Sequence, residues 1–174
     1  KKENSAISGG NAYLYDLFKF SEIHGLSVNA KNHNWKAAVP MLEQEVRRAI
    51  EHGFTQDELD EIKANLINAY ERAVKSAPSR KTNNLASALA KHVHNRAVFS
   101  TPIDDLAILR ENLNKVTPQV AHKAFKKQWE TNNVTLILTT NKKTADAATP
   151  LAALSKKSKN VAVKALEKKQ PQTF

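Results

Sequence analysis

Apolar residues recur at helical spacing through the middle of the chain, which predicts a run of five helices. The clearest stripe is Val39, Leu42, Val46, Ala49 and Ile50. The five helices are expected at 34–52, 55–77, 83–96, 102–113 and 118–129. Most of the chain is therefore expected to be helical.

Strand-like patterns flank these helices. The aromatic residues between Tyr13 and Phe20 predict an extended segment, and residues 23–30 predict a second strand with Gly25 as a bend. The β-branched run 133–140 predicts a third strand, whereas the small residues 5–10 predict a loop. The expected fold is α+β, with helices packed on one face of a short, mainly antiparallel sheet.

The sharpest local signals lie where the first helix gives way to the second. His52 closes the first helix, and Gly53 stands where a residue with positive φ is favoured. Thr55 and Glu58 have the spacing of a capping box, and acidic residues follow in the first turn. Threonine-proline pairs begin two later helices, at 101–102 and 117–118.

The segment HGFTQDELDEIKANLINAYE, residues 52–71, resembles the helical hairpin of the insulinase-like zinc peptidases. Further resemblance lies in 34–36, in Thr117-Pro118 with Val120, and in 129–140, so that it covers roughly residues 5–141. The family's zinc motif, H-x-x-E-H, does not occur in this sequence. None of the family's catalytic residues can therefore be placed on a position of this chain.

The resemblance implies a role as the non-catalytic second domain of one half of such a peptidase. In that family two domains form each half, and the two halves enclose the peptide that is cut. The implied partners are a zinc-bearing domain, the second half of the same polypeptide and a peptide substrate. Zinc is expected in the parent protein and not in this chain, and relatives of this kind favour a bacterial periplasm or envelope.

Most of the net positive charge lies near the C-terminus. The net charge is +10, of which residues 142–174 hold +6. We expect 1–141 to be the helix-rich domain, lacking its first strands, and 142–174 to be a basic linker or tail with a short helix near 162–169. Because the basicity is concentrated in this tail, we expect no nucleic-acid surface. No apolar run approaches the roughly 20 residues of a membrane span.

The histidines and paired acids suggest no catalytic or metal site. His92 and His94 point about 200° apart on a helix, and His52 suits a helix C-terminus. Glu22 and His24 share a strand face but would need a third ligand, while His33 and His122 have no evident partner. The acidic pairs Asp57-Glu58 and Asp104-Asp105 suit helix starts.

The sequence thus favours a non-catalytic, chamber-forming domain of a zinc-dependent endopeptidase, with substrate-binding residues unassigned. Two alternatives remain open at this point: a catalytically inactive scaffold or partner subunit of the same family, and a stand-alone basic protein that binds nucleic acid. The residues expected in the core are Leu42, Val46, Leu59, Ile62, Leu66, Leu89 and Trp129.

Overall fold

The fold was analysed in a computed structural model that describes residues 5–17, 20–129, 134–142, 144 and 146–166. The described residues form one antiparallel pair of strands, β1 (Ile7–Leu17) and β2 (Ser21–Ala30). Six α-helices follow: α1 (Trp35–His52), α2 (Gln56–Ser76), α3 (Thr82–Asn95), α4 (Pro102–Leu113), α5 (Pro118–Trp129) and α6 (Ala148–Ser158). The α+β class, rich in helix, is confirmed.

The chain divides into two compact units. Among the described residues, unit 1 comprises 5–17, 20–53, 121–129, 134–142, 144 and 146–166, and unit 2 consists of Phe54–Val120. In unit 1, α1 packs against β2 and α6, and in unit 2, α2 packs against α4. The predicted boundary at residue 141 stays a prediction.

The strand pair differs from its predicted form at two places. Residues 7–10 belong to β1, so the loop predicted for 5–10 is wrong over most of its length. Gly25 is no bend, because it pairs with Tyr13 in the middle of the ladder. A Cβ at Gly25 would lie 2.0 Å from Tyr13 Cζ, so the glycine makes room for the tyrosine ring.

The strand predicted for 133–140 is also wrong. Val134–Thr140 has no regular secondary structure, and Asn133 lies outside the described residues. A strand exists only where a neighbouring strand accepts and donates its backbone hydrogen bonds. Among the described residues β1 and β2 pair only with each other, so the β-branched composition of this segment finds no neighbour.

The helices begin and end close to where the sequence places them. Thr55 and Thr101 each accept a hydrogen bond from the third residue of the following helix. Asn34 stands at the start of α1 as expected, although its side chain makes no capping hydrogen bond. Pro78 falls in a 3-10 turn, Ala77–Ser79, directly after α2.

The tail region contains a helix that the sequence analysis did not predict. α6 lies within 142–174, and its Leu151 and Ser158 are buried. Ala162–Leu166 is not helical, and the rest of the short helix expected at 162–169 lies outside the described residues.

The buried core is small. The buried apolar residues among those described are Ala38, Ala49 and Leu151. Of the residues expected in the core, four are half-buried: Leu42, Val46, Leu59 and Trp129. Three are exposed, so that expectation is wrong for Ile62, Leu66 and Leu89. Helical periodicity identifies an apolar face, but only a covering element buries it.

Candidate functional site

The segment that carries the family resemblance begins at a tightly packed helix end. Gly53 has φ 73° and ψ −146°, and its N–H donates to Ala49 O at 3.1 Å. A Cβ at Gly53 would lie 2.7 Å from His122 Cγ and 3.0 Å from His122 Cβ. Both the backbone angles and the neighbouring ring therefore require glycine here.

Two side chains hold this helix end in place. Nε2 of His122 donates to Ile50 O at 2.8 Å, which fixes the imidazole beside Gly53. Arg48 is buried and donates from Nη1 to Gly53 O at 3.1 Å and from Nη2 to Glu45 Oε1 at 2.7 Å. A buried guanidinium needs such partners. The bond from His122 satisfies a carbonyl that the last turn of α1 leaves open.

The acidic residues at the helix starts act as caps. Thr55 Oγ1 accepts from Glu58 N at 3.2 Å, while Thr55 N donates to Glu58 Oε2 at 2.8 Å, which completes the predicted capping box. Asp104 donates from its N–H to Thr101 Oγ1 at 3.2 Å in the same way. Asp105 accepts from the Ser100 hydroxyl. These interactions explain why Glu58, Asp104 and Asp105 lie at helix starts.

Three of the histidines use a ring nitrogen to bind a backbone carbonyl. His52 Nε2 lies 3.1 Å from Val163 O, His92 Nδ1 lies 2.7 Å from Ala88 O, and His122 bonds Ile50 O as described. A carbonyl only accepts, so each of these nitrogens carries the hydrogen and cannot donate a lone pair to a metal. His24 Nε2 lies 3.5 Å from Glu22 Oε2, and its ring meets Trp129 edge-on.

The donor set of this chain does not fit the zinc that the family resemblance implies. Catalytic zinc sites use three protein ligands, mostly histidine and carboxylate, that converge on one point. Within the described ranges, His, Asp and Glu side chains form no group of three that could hold a metal ion. The chain also contains no cysteine. We therefore assign no chemical step to zinc held by these residues.

A polar cluster joins α1 to the end of α6. Ser158 Oγ lies 2.5 Å from Glu43 Oε2 and 3.2 Å from Pro40 O, and it accepts from Gln44 Nε2 at 3.2 Å. Its single hydrogen goes to the closer carboxylate. Arg47 Nε donates to Glu43 Oε1 at 3.0 Å, and this hydrogen bond is the main cause that raises the pKa of the Arg47 guanidinium above its ordinary value.

Sequence periodicity did not reveal this cluster. Its contacts span more than 100 residues, from α1 to the polar stretch around Ser158. The only available signal was the run of small and apolar residues 147–154, which suits a short amphipathic helix.

Exposed apolar side chains are the other prominent surface feature. In unit 2, Ile62 on α2 is 56% exposed, and Val93 on α3 is 70% exposed. In unit 1, Val134 and Ile137 are 68% and 84% exposed. Single exposed apolar residues are ordinary, but rows at helical spacing such as Ile62, Leu66 and Tyr70 are typical of a face that another element covers.

The sequence of this chain is similar to that of a bacterial protease. It is 27% identical over 117 residues to the probable zinc protease PqqL of Escherichia coli strain K12. This match covers 67% of the chain and 13% of PqqL. No family model matches the chain.

Solved structures of proteases also match this chain. The crystal structure of the periplasmic protease PqqL from Escherichia coli matches 99% of this chain with a TM-score of 0.73 and 21% identity, over 20% of its own length. A predicted insulinase family protease from Yersinia pestis matches 90% of this chain with a TM-score of 0.68 and 14% identity, over 34% of its own length.

The chain is similar to insulinase-family proteases in sequence and in fold. This confirms the resemblance based on residues 52–71 and the α+β class. The crystal structure of the first half of PqqL also matches, with a TM-score of 0.70, 22% identity, 95% of this chain covered and 36% of its own length. This chain therefore spans a small part of the relatives it matches.

Proposed function

We propose that this chain is a non-catalytic domain that forms part of the wall of the peptide chamber in a zinc-dependent endopeptidase. The observation that carries the proposal is the match to PqqL, a probable zinc protease, over two thirds of this chain but only 13% of that protein. The chain contributes a helical scaffold, and zinc and the general base lie elsewhere in the same polypeptide.

The distribution of apolar surface supports a role inside a larger protein. A chain of 174 residues ordinarily buries a substantial core, because the buried fraction of the surface rises with chain length. Here the buried apolar residues, among those described, are two alanines and one leucine. The exposed stripe on α2, with Ile62 and Leu66, is the surface that we assign to contact with the rest of the polypeptide.

The implied partners follow from this assignment. They are the zinc-bearing domain, the second half of the same polypeptide and an extended peptide substrate. The periplasm is the compartment in which the solved relative is described, and we place the parent protein there. No helix in the described part of the chain is both long and apolar enough to cross a bilayer.

The experiment starts from the natural gene product. Its intact mass and a peptide map upstream of Lys1 are measured first, and then its hydrolysis of a quenched fluorescent peptide with and without a zinc chelator. We expect a product several times heavier than 19.4 kDa that contains H-x-x-E-H and loses activity in chelator.

Two outcomes would contradict the proposal in different ways. A large product with a degraded zinc motif and no hydrolysis identifies an inactive scaffold or partner subunit. A natural product of about 19.4 kDa removes the peptidase assignment. In that case, steeply salt-dependent binding to a DNA duplex would support the nucleic-acid alternative.

A further inference from the structure

The residues that follow α6 lie against α1 and are held there by polar contacts. We call residues 159–166 the C-terminal strap. Arg47 on α1 donates from Nη2 to Val161 O at 2.7 Å and to Ser158 O at 3.1 Å. His52, at the end of α1, donates from Nε2 to Val163 O at 3.1 Å. Two side chains of α1 thus bind the carbonyls of Val161 and Val163 in the strap and that of Ser158 at the end of α6.

α6 is attached to α1 by buried side chains and by the hydrogen bonds of Ser158, whereas the strap is attached by hydrogen bonds to its carbonyls and by half-exposed side chains. α6 buries Leu151 and Ser158. In the strap, Val161 and Leu166 are about half exposed, and the contacts to α1 are made to backbone carbonyls. Water replaces a hydrogen bond to an exposed carbonyl at little net cost, whereas it cannot replace buried apolar contacts.

Two glutamates of α1 orient the Arg47 side chain for its contact with the strap. Glu43 accepts from Arg47 Nε at 3.0 Å, and Glu51 Oε1 lies 3.7 Å from Arg47 Nη1. These two carboxylates, one turn before and one turn after Arg47, orient the guanidinium so that Nη2 faces the strap. The guanidinium also lies at the end of α6, where a positive charge stabilises the helix by binding open carbonyls of its last turn.

We propose that the strap is a reversible element, docked on α1 by Arg47 and His52, that can leave α1 while α6 stays in place. Arg47 is the positioning residue on which docking depends, because it binds the carbonyls on either side of the turn at 158–161. Undocking breaks these side-chain contacts and exposes the covered halves of Val161 and Leu166, whereas release of α6 would also expose the buried Leu151. This inference is independent of the peptidase assignment.

Hydrogen-deuterium exchange read by mass spectrometry tests the proposal on the full chain. In the wild type, the exchange of peptides from 159–163 is compared with that of peptides from α6 at increasing, sub-denaturing urea. Because local opening of the strap should expose less surface than release of α6, we expect strap exchange to be faster and to depend less steeply on urea than α6 exchange. The same urea dependence for both segments would overturn the proposal.

Substitutions of Arg47 supply the second arm. Arg47→Met keeps the apolar stem but removes the donors, and we expect about tenfold faster exchange at 159–163 with α6 changed less than twofold. Arg47→Lys, which reaches a single carbonyl, should fall between wild type and Arg47→Met. Arg110→Met is the matched control, because it removes an exposed ion pair to Glu71 in unit 2 and should leave the strap unchanged.

The variants also distinguish docking from general stability. If Arg47→Met accelerates exchange in α1, α6 and the strap equally, Arg47 is a structural residue and the strap is not a separate element. If it changes none of them, Arg47 does not hold the strap. Should Arg47→Met fail to fold, the wild-type urea series and Arg47→Lys still decide between these outcomes.

Discussion

Replacement of Gly53 by alanine is expected to destabilise unit 1 by about 2–4 kcal/mol. The backbone angles of Gly53 lie near a region that is almost restricted to glycine, and a side chain there costs about 1–3 kcal/mol. The new methyl group would also approach His122 Cγ to 2.7 Å. To relieve that contact the imidazole must move, and loss of its hydrogen bond to Ile50 O costs about 1 kcal/mol more.

Tryptophan fluorescence during urea unfolding is the assay, because both tryptophans, Trp35 and Trp129, belong to unit 1. In thermal unfolding followed by the same fluorescence, the expected loss of free energy of unfolding corresponds, for a chain of this length, to a decrease of about 4–16 °C in Tm. Gly9→Ala is the matched control, since a Cβ there has only Asn29 Nδ2 within contact distance, at 4.0 Å. We expect the control to leave the midpoint unchanged or slightly raised.

A double-mutant cycle separates the two causes. In a His122→Ala background the conflict with the imidazole ring is removed and only the 3.0 Å approach to Cβ remains, so Gly53→Ala should cost about 1 kcal/mol less than in the wild type. The backbone contribution should remain. If Gly53→Ala is no more destabilising than Gly9→Ala, then neither the positive φ nor the contact with His122 has the role described, and the reasoning fails.

The remaining predictions concern a cap, a core contact and an exposed face. Thr55→Ala should destabilise α2 by about 1 kcal/mol in thermal unfolding followed by circular dichroism, while Thr139→Ala, at an exposed position, should change little. Leu151→Ala should lower the free energy of unfolding of unit 1, measured by urea titration, by about 2–3 kcal/mol. A change below about 0.5 kcal/mol would show that α6 is not packed on α1. Ile62→Ser with Leu66→Ser should leave the isolated chain within about 0.5 kcal/mol of wild type but should destabilise the natural gene product by several kcal/mol; equal effects in both would contradict the assigned contact face.

Local sequence determined most of the helix ends. A capping threonine and the glutamate three residues later satisfy each other's backbone groups whatever surrounds them, and Gly53 meets a backbone requirement of its own position. Segment 52–71, which contains these signals, also carried much of the resemblance to insulinase-like peptidases, and the comparisons find such proteases similar to this chain. The helix caps and the glycine at the end of α1 depend on residues fewer than five positions apart, so they can be derived without tertiary information.

The tertiary structure decided which apolar faces are buried and which segments find partners. Leu66 and Leu89 have the spacing of core residues but remain exposed, and Val134–Thr140 has the composition of a strand but no partner strand within the described part of the chain. The contact of Arg47 with Val161 joins residues 114 positions apart, and no local pattern encodes it. Burial and strand pairing depend on a second element at a distance, whereas helix caps do not, and this is the physical reason for the difference.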